Sequence, residues 1–253
     1  MFRLRLAGMA GTLALSAGLS VAADYGTLKG QVKLPAAPPP GTVNVTTDQA
    51  HCLSKGPLKT EDVIVDPKTG GFKNVIVFLR PDNADRKAQF PTEMIHPDLK
   101  NPKAAIIEID QPCCQFTPRI FVARAGDTIV VKNSSPVNHN ANFTSDDEQF
   151  NQNIPPGGNK TTKPLKAQRS AVTVACNVHP WMKAVGRVFD HPYYAVTDAE
   201  GNFTIDKVPA GKWRIVYFHE NGIHKGIPNA AGETIEVKAG ETKLPPVDFE
   251  FKK

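Results

Sequence analysis

The chain has 253 residues, with 30 lysines and arginines, 25 aspartates and glutamates, 22 prolines and 19 glycines. The basic residues are scattered along the chain, which excludes the concentrated basic stripe typical of nucleic-acid-binding proteins. The high proline and glycine content, with short β-branched segments between turn signals, predicts an all-β protein of one large or two small domains.

Residues 1–23 have the pattern of a secretory signal peptide. Arg3 and Arg5 precede an apolar run that ends in small residues. The run is broken by glycines and is shorter than the ~20 residues that a spanning helix needs. No later run of that length occurs, and no cysteine lies beside the predicted cleavage point. We therefore expect a periplasmic or secreted protein without a membrane anchor. Removal of Arg3 and Arg5 with the signal peptide would leave 28 basic and 25 acidic residues.

The first predicted strands are "YGTLKGQVKL" from Tyr25, taken as exposed, and "KNVIVFLR" at 73–80, followed by a long polar loop. The next strands are "AAIIEID", "RIFVARAGDTIVVKNSS", "AVTVACNV" and "AVGRVFD", with a hairpin turn predicted at Gly126 and Asp127. After His191, the segment "YYAVTDAEGNFTIDKVPAGKWRIVYFHENG" predicts three strands joined by turns at "DAEGN" and "VPAGK".

Four cysteines in an oxidising compartment allow three complete pairings. Because adjacent cysteines rarely bridge each other, we expect Cys52 to pair with Cys113 or Cys114, which leaves Cys176 free. A loop of roughly 60 residues closed in this way would add about 4 kcal/mol in the chain-entropy account. The alternative to this disulfide is a metal site formed by His51 with Cys113 and Cys114.

The segment "CNVHPWM" carries the main chemical signal. Cys176, His179 and Met182 follow Cys-x-x-His-x-x-Met directly after the strand "AVTVAC", and His139 follows an upstream strand and its turn. Two imidazoles, a thiolate and a weak axial thioether are the ligands of blue-copper electron-transfer sites.

Competing metal centres need other ligand patterns. A c-type haem would need Cys-x-x-Cys-His, structural zinc would prefer several cysteines, and a copper oxidase would need further histidines, often as His-x-His pairs. The sequence lacks the haem motif and the His-x-His pairs, and the predicted ligand set has one cysteine and a thioether, whereas structural zinc prefers several cysteines and no thioether. The ligand set therefore predicts one copper ion.

Two stretches resemble cupredoxins. "FTPRIFVARAGDTIVVKNSSPVNHN" at 116–140 resembles their upstream core, and "CNVHPWMKAVGRV" resembles their C-terminal ligand loop, with the short His-to-Met spacing of amicyanin. The resemblance covers about 104–190 and implies a Greek-key β-sandwich. It also implies specific ligands, namely His139 and His179 through imidazole, Cys176 through thiolate and Met182 in the axial position.

The C-terminal part resembles the regulatory-like β-sandwich of carboxypeptidases, which is related to transthyretin. The signature positions are Thr197, Asp198, Gly201, Phe203, Pro209, Ala210, Gly211 and Trp213. That module normally begins with a G-x-V-x-G-x-V strand, and the match lies far upstream, from Gly26 to Val32. We infer a discontinuous sandwich with the copper-type unit inserted between its second and third strands. Two tandem domains with an independent N-terminal segment are the alternative.

The expected organisation is a signal peptide at 1–23, an N-terminal β segment at 24–103, a cupredoxin domain at 104–190 and a regulatory-like sandwich at 191–253. The whole arrangement resembles secreted bacterial proteins of the methylamine-utilisation-like or plastocyanin-like type. It implies a non-enzymatic carrier of single electrons between redox proteins such as a dehydrogenase and a cytochrome c. A periplasmic copper chaperone and a structural or adhesion module are the alternatives.

Residues around the ligands receive secondary assignments. Pro180 and Trp181 are predicted on the surface beside His179 through which cupredoxins exchange electrons, with packing over the metal loop as the alternative. Asn133 is predicted to hydrogen-bond across to the Cys176 loop, with ordinary turn capping as the alternative. The C-terminal histidines, His191, His219 and His224, are predicted at the surface or at strand ends.

Overall fold

The computed structural model describes residues 24–83, 85–226 and 230–252, so the predicted signal peptide lies outside the described residues. The regular structure in those ranges consists of seventeen strands and three one-turn helices. The predicted all-β fold class is therefore confirmed. Within the same ranges, no helix is long and apolar enough to span a membrane.

The strands in chain order are β1 (Tyr25–Lys33), β2 (Ile76–Pro81), β3 (Ile106–Ile109), β4 (Ile120–Arg124), β5 (Thr128–Lys132), β6 (His139–Thr144), β7 (Gln149–Ile154), β8 (Asn159–Thr161), β9 (Val172–Ala175), β10 (Lys183–Phe189), β11 (Tyr194–Val196), β12 (Asn202–Pro209), β13 (Gly211–His219), β14 (Gly222–Ile223), β15 (Glu233–Val237), β16 (Gly240–Lys243) and β17 (Val247–Asp248). The helices are α1 (Gln49–Cys52), a 3-10 helix (Thr92–Met94) and α2 (Pro97–Lys100).

Strands β3 to β10 form two sheets around a shared core. One sheet has the order β4-β10-β9-β6-β7 and the other the order β3-β5-β8. Ile129 and Val131 alternate with more exposed residues along β5, and they pack in one buried cluster with Phe143 of β6 and Val174 of β9. Because successive side chains of a strand point to opposite faces, each sheet contributes one face to this core.

The predicted hairpin at Gly126 and Asp127 is wrong. Strand β4 pairs with β10, whereas β5 pairs with β3 and β8, so this turn carries the chain from one sheet to the other. The Asp127 carboxylate holds the corner, because it accepts hydrogen bonds from the backbone N–H groups of Ala105 and Arg124, each at 2.7 Å.

Strands from both ends of the chain form the second pair of sheets. Strand β1 lies between β12 and β16, and β2 lies between β11 and β13. The chain therefore leaves these sheets after β2 and returns to them at β11. The predicted domain limits at 24–103, 104–190 and 191–253 stay a prediction.

The N-terminal strand is more buried than expected. Leu28 and Val32 of β1 are fully buried in a cluster with Phe72, Phe203 and Ile215. The prediction that β1 is exposed is wrong, because its two hydrogen-bonding edges are covered by strands that lie some 170 residues or more further along the chain.

The predicted turn at "DAEGN" joins β11 to β12. The Asp198 carboxylate accepts hydrogen bonds from the backbone N–H groups of Glu200 and Asn202, at 3.0 and 2.7 Å. Gly201 has a φ of 78°, and a Cβ atom there would collide with the carbonyl oxygen of Val32. Glycine is therefore required at this position for both backbone conformation and space.

The segment between β1 and β2 crosses to the other core. Val45 and Cys52 are buried in the same cluster as Phe143 and Val174, rather than with the strands that flank the segment. A third, smaller cluster joins the two pairs of sheets through residues of β2, β4, β10 and β13. The crossing segment brings α1 to the end of β9, where the candidate site lies.

Candidate metal centre

The loop between β9 and β10 is closed on itself by backbone hydrogen bonds. The Cys176 N–H donates to the carbonyl of Met182 at 3.2 Å, and the Met182 N–H donates to the carbonyl of His179 at 2.9 Å. Cys176 follows the last residue of β9 and Met182 precedes the first residue of β10. The tight loop therefore places the cysteine and histidine at one end of the sheet.

His139 comes to the same end as the first residue of β6. The loop that precedes it is held by the Asn133 amide, which donates to the carbonyls of Val137 and Ile154, both at 2.8 Å. Asn133 also accepts from the Ser135 N–H and hydroxyl. Asn133 thus fixes the loop that presents His139.

The three side chains converge. The Cys176 Sγ atom lies 3.7 Å from Nδ1 of His179 and 3.9 Å from Nδ1 of His139, and their ligand atoms all lie within 4.8 Å of one another. The exposed fractions are 2% for Cys176 and 0% for each histidine.

This spacing fits one metal ion. Two ligand atoms held at about 2.0 to 2.3 Å from a first-row metal, at tetrahedral or trigonal angles, lie about 3.3 to 4.0 Å apart. Both sulfur-to-nitrogen separations lie in that range. Met182 is buried in the same cluster as Cys176, next to this group.

Burial keeps both imidazoles neutral. It lowers the pKa of His139 to about 4, with the neighbouring His179 adding to the effect. Burial also lowers the pKa of His179, although the Asp48 carboxylate opposes that shift. Neutral imidazoles have the free lone pair that a metal requires.

Asn140, which the sequence did not single out, performs the bridging role predicted for Asn133. The Asn140 backbone N–H donates to Cys176 Sγ at 3.3 Å, and its side-chain oxygen accepts from the Asn177 N–H at 3.2 Å. Among the described residues, Asn133 makes no hydrogen bond to the Cys176 loop. Its contacts are those of the turn-capping alternative.

Asp48 is the second residue that the sequence did not reveal. Its Oδ2 lies 3.1 Å from Nε2 of His179. Asp48 precedes α1 in the left-handed conformation, with a φ of 46°, and its side chain makes no capping hydrogen bond to that helix. The carboxylate faces the histidine instead of the helix. It therefore favours the tautomer with the proton on Nε2, which leaves the lone pair of Nδ1 facing the sulfur.

His179 is consequently not an exposed ligand. Pro180 is exposed and Trp181 is partly buried, whereas the His179 ring lies beneath the Asp48 segment. The Trp181 and His179 rings meet edge to face at 5.2 Å between centroids, and the indole N–H donates to the Cys114 carbonyl at 3.0 Å. Trp181 therefore packs between His179 and the loop between β3 and β4, which contains Cys114.

A disulfide joins Cys52 to Cys114 and leaves Cys113 and Cys176 as free thiols. Cys52, Cys114 and His179 also form a close group. The two sulfurs in that group are bonded to each other, so they are not available as thiolate ligands. The alternative site of His51 with Cys113 and Cys114 loses a ligand for the same reason.

Comparisons with solved structures reach cupredoxins at low similarity. A purple cupredoxin from Nitrosopumilus maritimus is 18% identical over 32% of this chain and 98% of its own, with a TM-score of 0.28. An oxidised amicyanin mutant is 16% identical over 33% of this chain and 81% of its own, with a TM-score of 0.29. A copper-containing nitrite reductase from Thermus scotoductus is 16% identical over 43% of this chain and 29% of its own, with a TM-score of 0.31. No protein-family profile and no curated protein matches the sequence. With TM-scores this low, we base no inference on these likenesses.

Proposed function

We propose that the chain binds one copper ion through His139, Cys176 and His179 and passes single electrons between redox proteins outside the cytoplasm. The observation that supports this function is the convergence of one thiol and two imidazoles, all buried, at separations of 3.7 and 3.9 Å. A thiolate favours Cu(I) and imidazole accepts Cu(II), so this ligand set suits both oxidation states. Met182 is the proposed axial ligand.

Burial of the ligands favours electron transfer over delivery of copper. A chaperone must expose its ligands so that a partner can displace them one by one. Here the sulfur and both imidazoles are closed off by the β9–β10 loop and the Asp48 segment. Electrons cross such a barrier by tunnelling, whereas an ion does not. The proposed protein is therefore a carrier rather than an enzyme or a chaperone.

The proposed exit for electrons is Trp181 with the adjacent Pro180. Trp181 touches the His179 ring and is partly exposed, and Pro180 is exposed. The proposed partners are a dehydrogenase as donor and a cytochrome c as acceptor. The disulfide supports a periplasmic or secreted location, because disulfides persist in oxidising compartments.

The test is the visible spectrum of the protein loaded with Cu(II). We expect an intense thiolate-to-copper absorption band, loss of that band in Cys176→Ser, and one copper bound per chain. Cys113→Ser is the matched control, because Cys113 is a free, partly exposed thiol outside the ligand group, and it should keep the band. A spectrum without the band, or a band that persists in Cys176→Ser, would disprove the proposal.

A further inference from the structure

A basic cavity lies away from the metal ligands, between β2, β10 and the loops that precede Phe90 and Ala171. It has a volume of about 180 Å³. Four of the seven arginines in the described part of the chain line it, and they come from four separate segments. The cations of the cavity wall are Arg80, Arg86, Lys87, Arg169 and Arg187. Among the described lining residues, Asp190 is the one carboxylate.

The arginines outside this cavity have acceptors. Arg119 pairs with Glu220 at 2.6 Å, Arg214 pairs with Asp82 at 3.2 Å, and Arg124 donates to the carbonyl of Leu99 at 2.6 Å. Buried guanidinium groups in folded proteins usually have such partners, because an unpaired charge away from water costs free energy.

Three of the four arginines inside the cavity differ in this respect. Arg86, Arg169 and Arg187 make no ion pair or side-chain hydrogen bond with any residue that the structure describes. Arg80 is buried and donates to the carbonyls of Ala231 and Asp85, at 2.9 and 3.0 Å, but it makes no ion pair with a described carboxylate. Burial lowers the pKa of Arg80, the charges of Arg214, Arg169 and Arg86 act in the same direction, and the charge of Asp85 opposes them. The cavity wall therefore carries more positive than negative charge, with five cations and the carboxylate of Asp190.

Arg187 is the most constrained of these groups. Its guanidinium lies over the rings of Phe218 and Phe78, at 5.1 and 5.3 Å from their centroids. Its Nε atom is buried and has no acceptor among the described residues. Burial lowers the pKa of Arg187 to about 10, although the charge of Asp146 opposes that shift, so the group still carries its charge at neutral pH. A buried donor without an acceptor needs a partner that the described residues do not supply, such as a water molecule or an ion.

We propose that this cavity is a binding site for one small oxyanion carrying two negative charges, of the phosphate or dicarboxylate class, with Arg187 as the central contact. Guanidinium groups bind such oxyanions through paired, charge-assisted hydrogen bonds. The volume lies below the roughly 300 to 1,000 Å³ of sites for drug-sized ligands, which restricts the ligand to a small anion.

The location gives the anion a structural consequence. Arg80 belongs to β2 and Arg187 belongs to β10, which lie on opposite sides of the cluster that joins the two pairs of sheets. An anion held by both would link the sheets at that junction. Binding should therefore raise the midpoint of thermal unfolding, because a ligand that binds the folded state alone stabilises it.

The test is calorimetric titration of the whole metal-free chain with inorganic phosphate, and separately with malonate, at about 0.15 M ionic strength. We expect at least one anion to bind in a 1:1 ratio with a Kd below ~1 mM. Arg187→Gln should weaken binding at least about 10-fold. Lys103→Gln is the control, because it removes one positive charge from an exposed position outside the cavity and should leave the Kd unchanged.

A second variant protects the test against misfolding. Arg169 is exposed, so Arg169→Gln should fold even where Arg187→Gln does not, and it should also weaken binding. Absence of saturation with both anions would overturn the proposal. Equal affinity in the wild type and the folded arginine variants would also overturn it. Because the metal-free chain is used, the result is independent of copper binding.

Discussion

Asp48 is the residue whose role is clearest in the structure and least visible in the sequence. Its carboxylate accepts from Nε2 of His179, while Nδ1 of the same ring faces Cys176. A carboxylate behind a ligating imidazole orients the ring and increases its basicity. Greater electron donation stabilises Cu(II) over Cu(I), so Asp48 should lower the reduction potential of the proposed copper site.

The substitution Asp48→Asn tests whether the Asp48 charge lowers the reduction potential. The amide keeps the size of the side chain but removes its negative charge. We expect a higher reduction potential and copper affinity reduced by roughly 10- to 100-fold, with the thiolate band retained. Redox titration followed at that band measures the potential. Asp206→Asn is the control, because Asp206 is exposed and hydrogen-bonded to Thr27 in another sheet. An unchanged potential in Asp48→Asn would contradict the assignment.

The two asparagines near His139 show that local sequence does not predict which residue hydrogen-bonds to the cysteine loop. Both Asn133 and Asn140 lie close to the ligand in sequence, and either has the right side chain to brace the cysteine loop. The choice depends on which of them points across the β6–β9 pair, and that is Asn140. Direction relative to a neighbouring strand is a tertiary property, which is why the sequence analysis named Asn133 for this contact and not Asn140.

At the scale of elements, the crossing segment between β1 and β2 covers the candidate metal site. The disulfide from Cys52 to Cys114 anchors α1, and α1 keeps Asp48 over His179. The anchoring bond closes a loop with a sequence separation of 62 residues. In the chain-entropy account, such a loop contributes about 4 kcal/mol to the free energy of unfolding.

Removal of the disulfide should therefore destabilise the fold measurably. We expect the double variant Cys52→Ala with Cys114→Ala to lose about 4 kcal/mol in the free energy of unfolding, measured by urea denaturation. Cys113→Ala is the control and should lose less than about 1 kcal/mol, because Cys113 is free and partly exposed. A double variant as stable as the wild type would show that other contacts hold the segment in place.

At the scale of the whole molecule, three histidines were predicted at the surface or at strand ends; none lies at the surface, and His219 does end a strand, β13. His191, His219 and His224 are all buried. The Nδ1 atoms of His191 and His219 accept backbone N–H groups, from Tyr193 at 3.0 Å and from Asn221 at 3.2 Å. Burial lowers the pKa of His191 to about 3 and that of His219 to about 4, with the charges of Arg124 and Arg119, respectively, acting in the same direction.

These depressed pKa values predict a loss of stability in mild acid. The unfolded chain binds protons at these histidines near its ordinary pKa of about 6.5, whereas the folded chain resists them. The free energy of unfolding should fall as the pH drops from about 7 to about 4.5, by about 2 to 3 kcal/mol per histidine. His219→Gln should reduce this slope, as measured by urea denaturation of the metal-free protein at both pH values. An identical slope in the variant would contradict the prediction.

The copper-site hypothesis could be formed from the sequence because its strongest signal is local. Cys176, His179 and Met182 lie within one short loop after one strand, and residue type alone excludes haem and structural zinc. The all-β class follows equally from composition and turn signals. The sequence predicted a disulfide between Cys52 and either Cys113 or Cys114, and the structure places Cys114 in the bond.

The tertiary structure decided the features that join distant parts of the chain. The pairing of β1 with β12 and β16, the sheet change at Gly126, the Asp48 contact with His179 and the gathering of four arginines all unite residues far apart in sequence. Local patterns encode which face of a strand is apolar, but they do not encode which strand will lie beside it. Side-chain type therefore predicted the chemistry of the site, whereas long-range strand pairing and packing determined what covers and surrounds it.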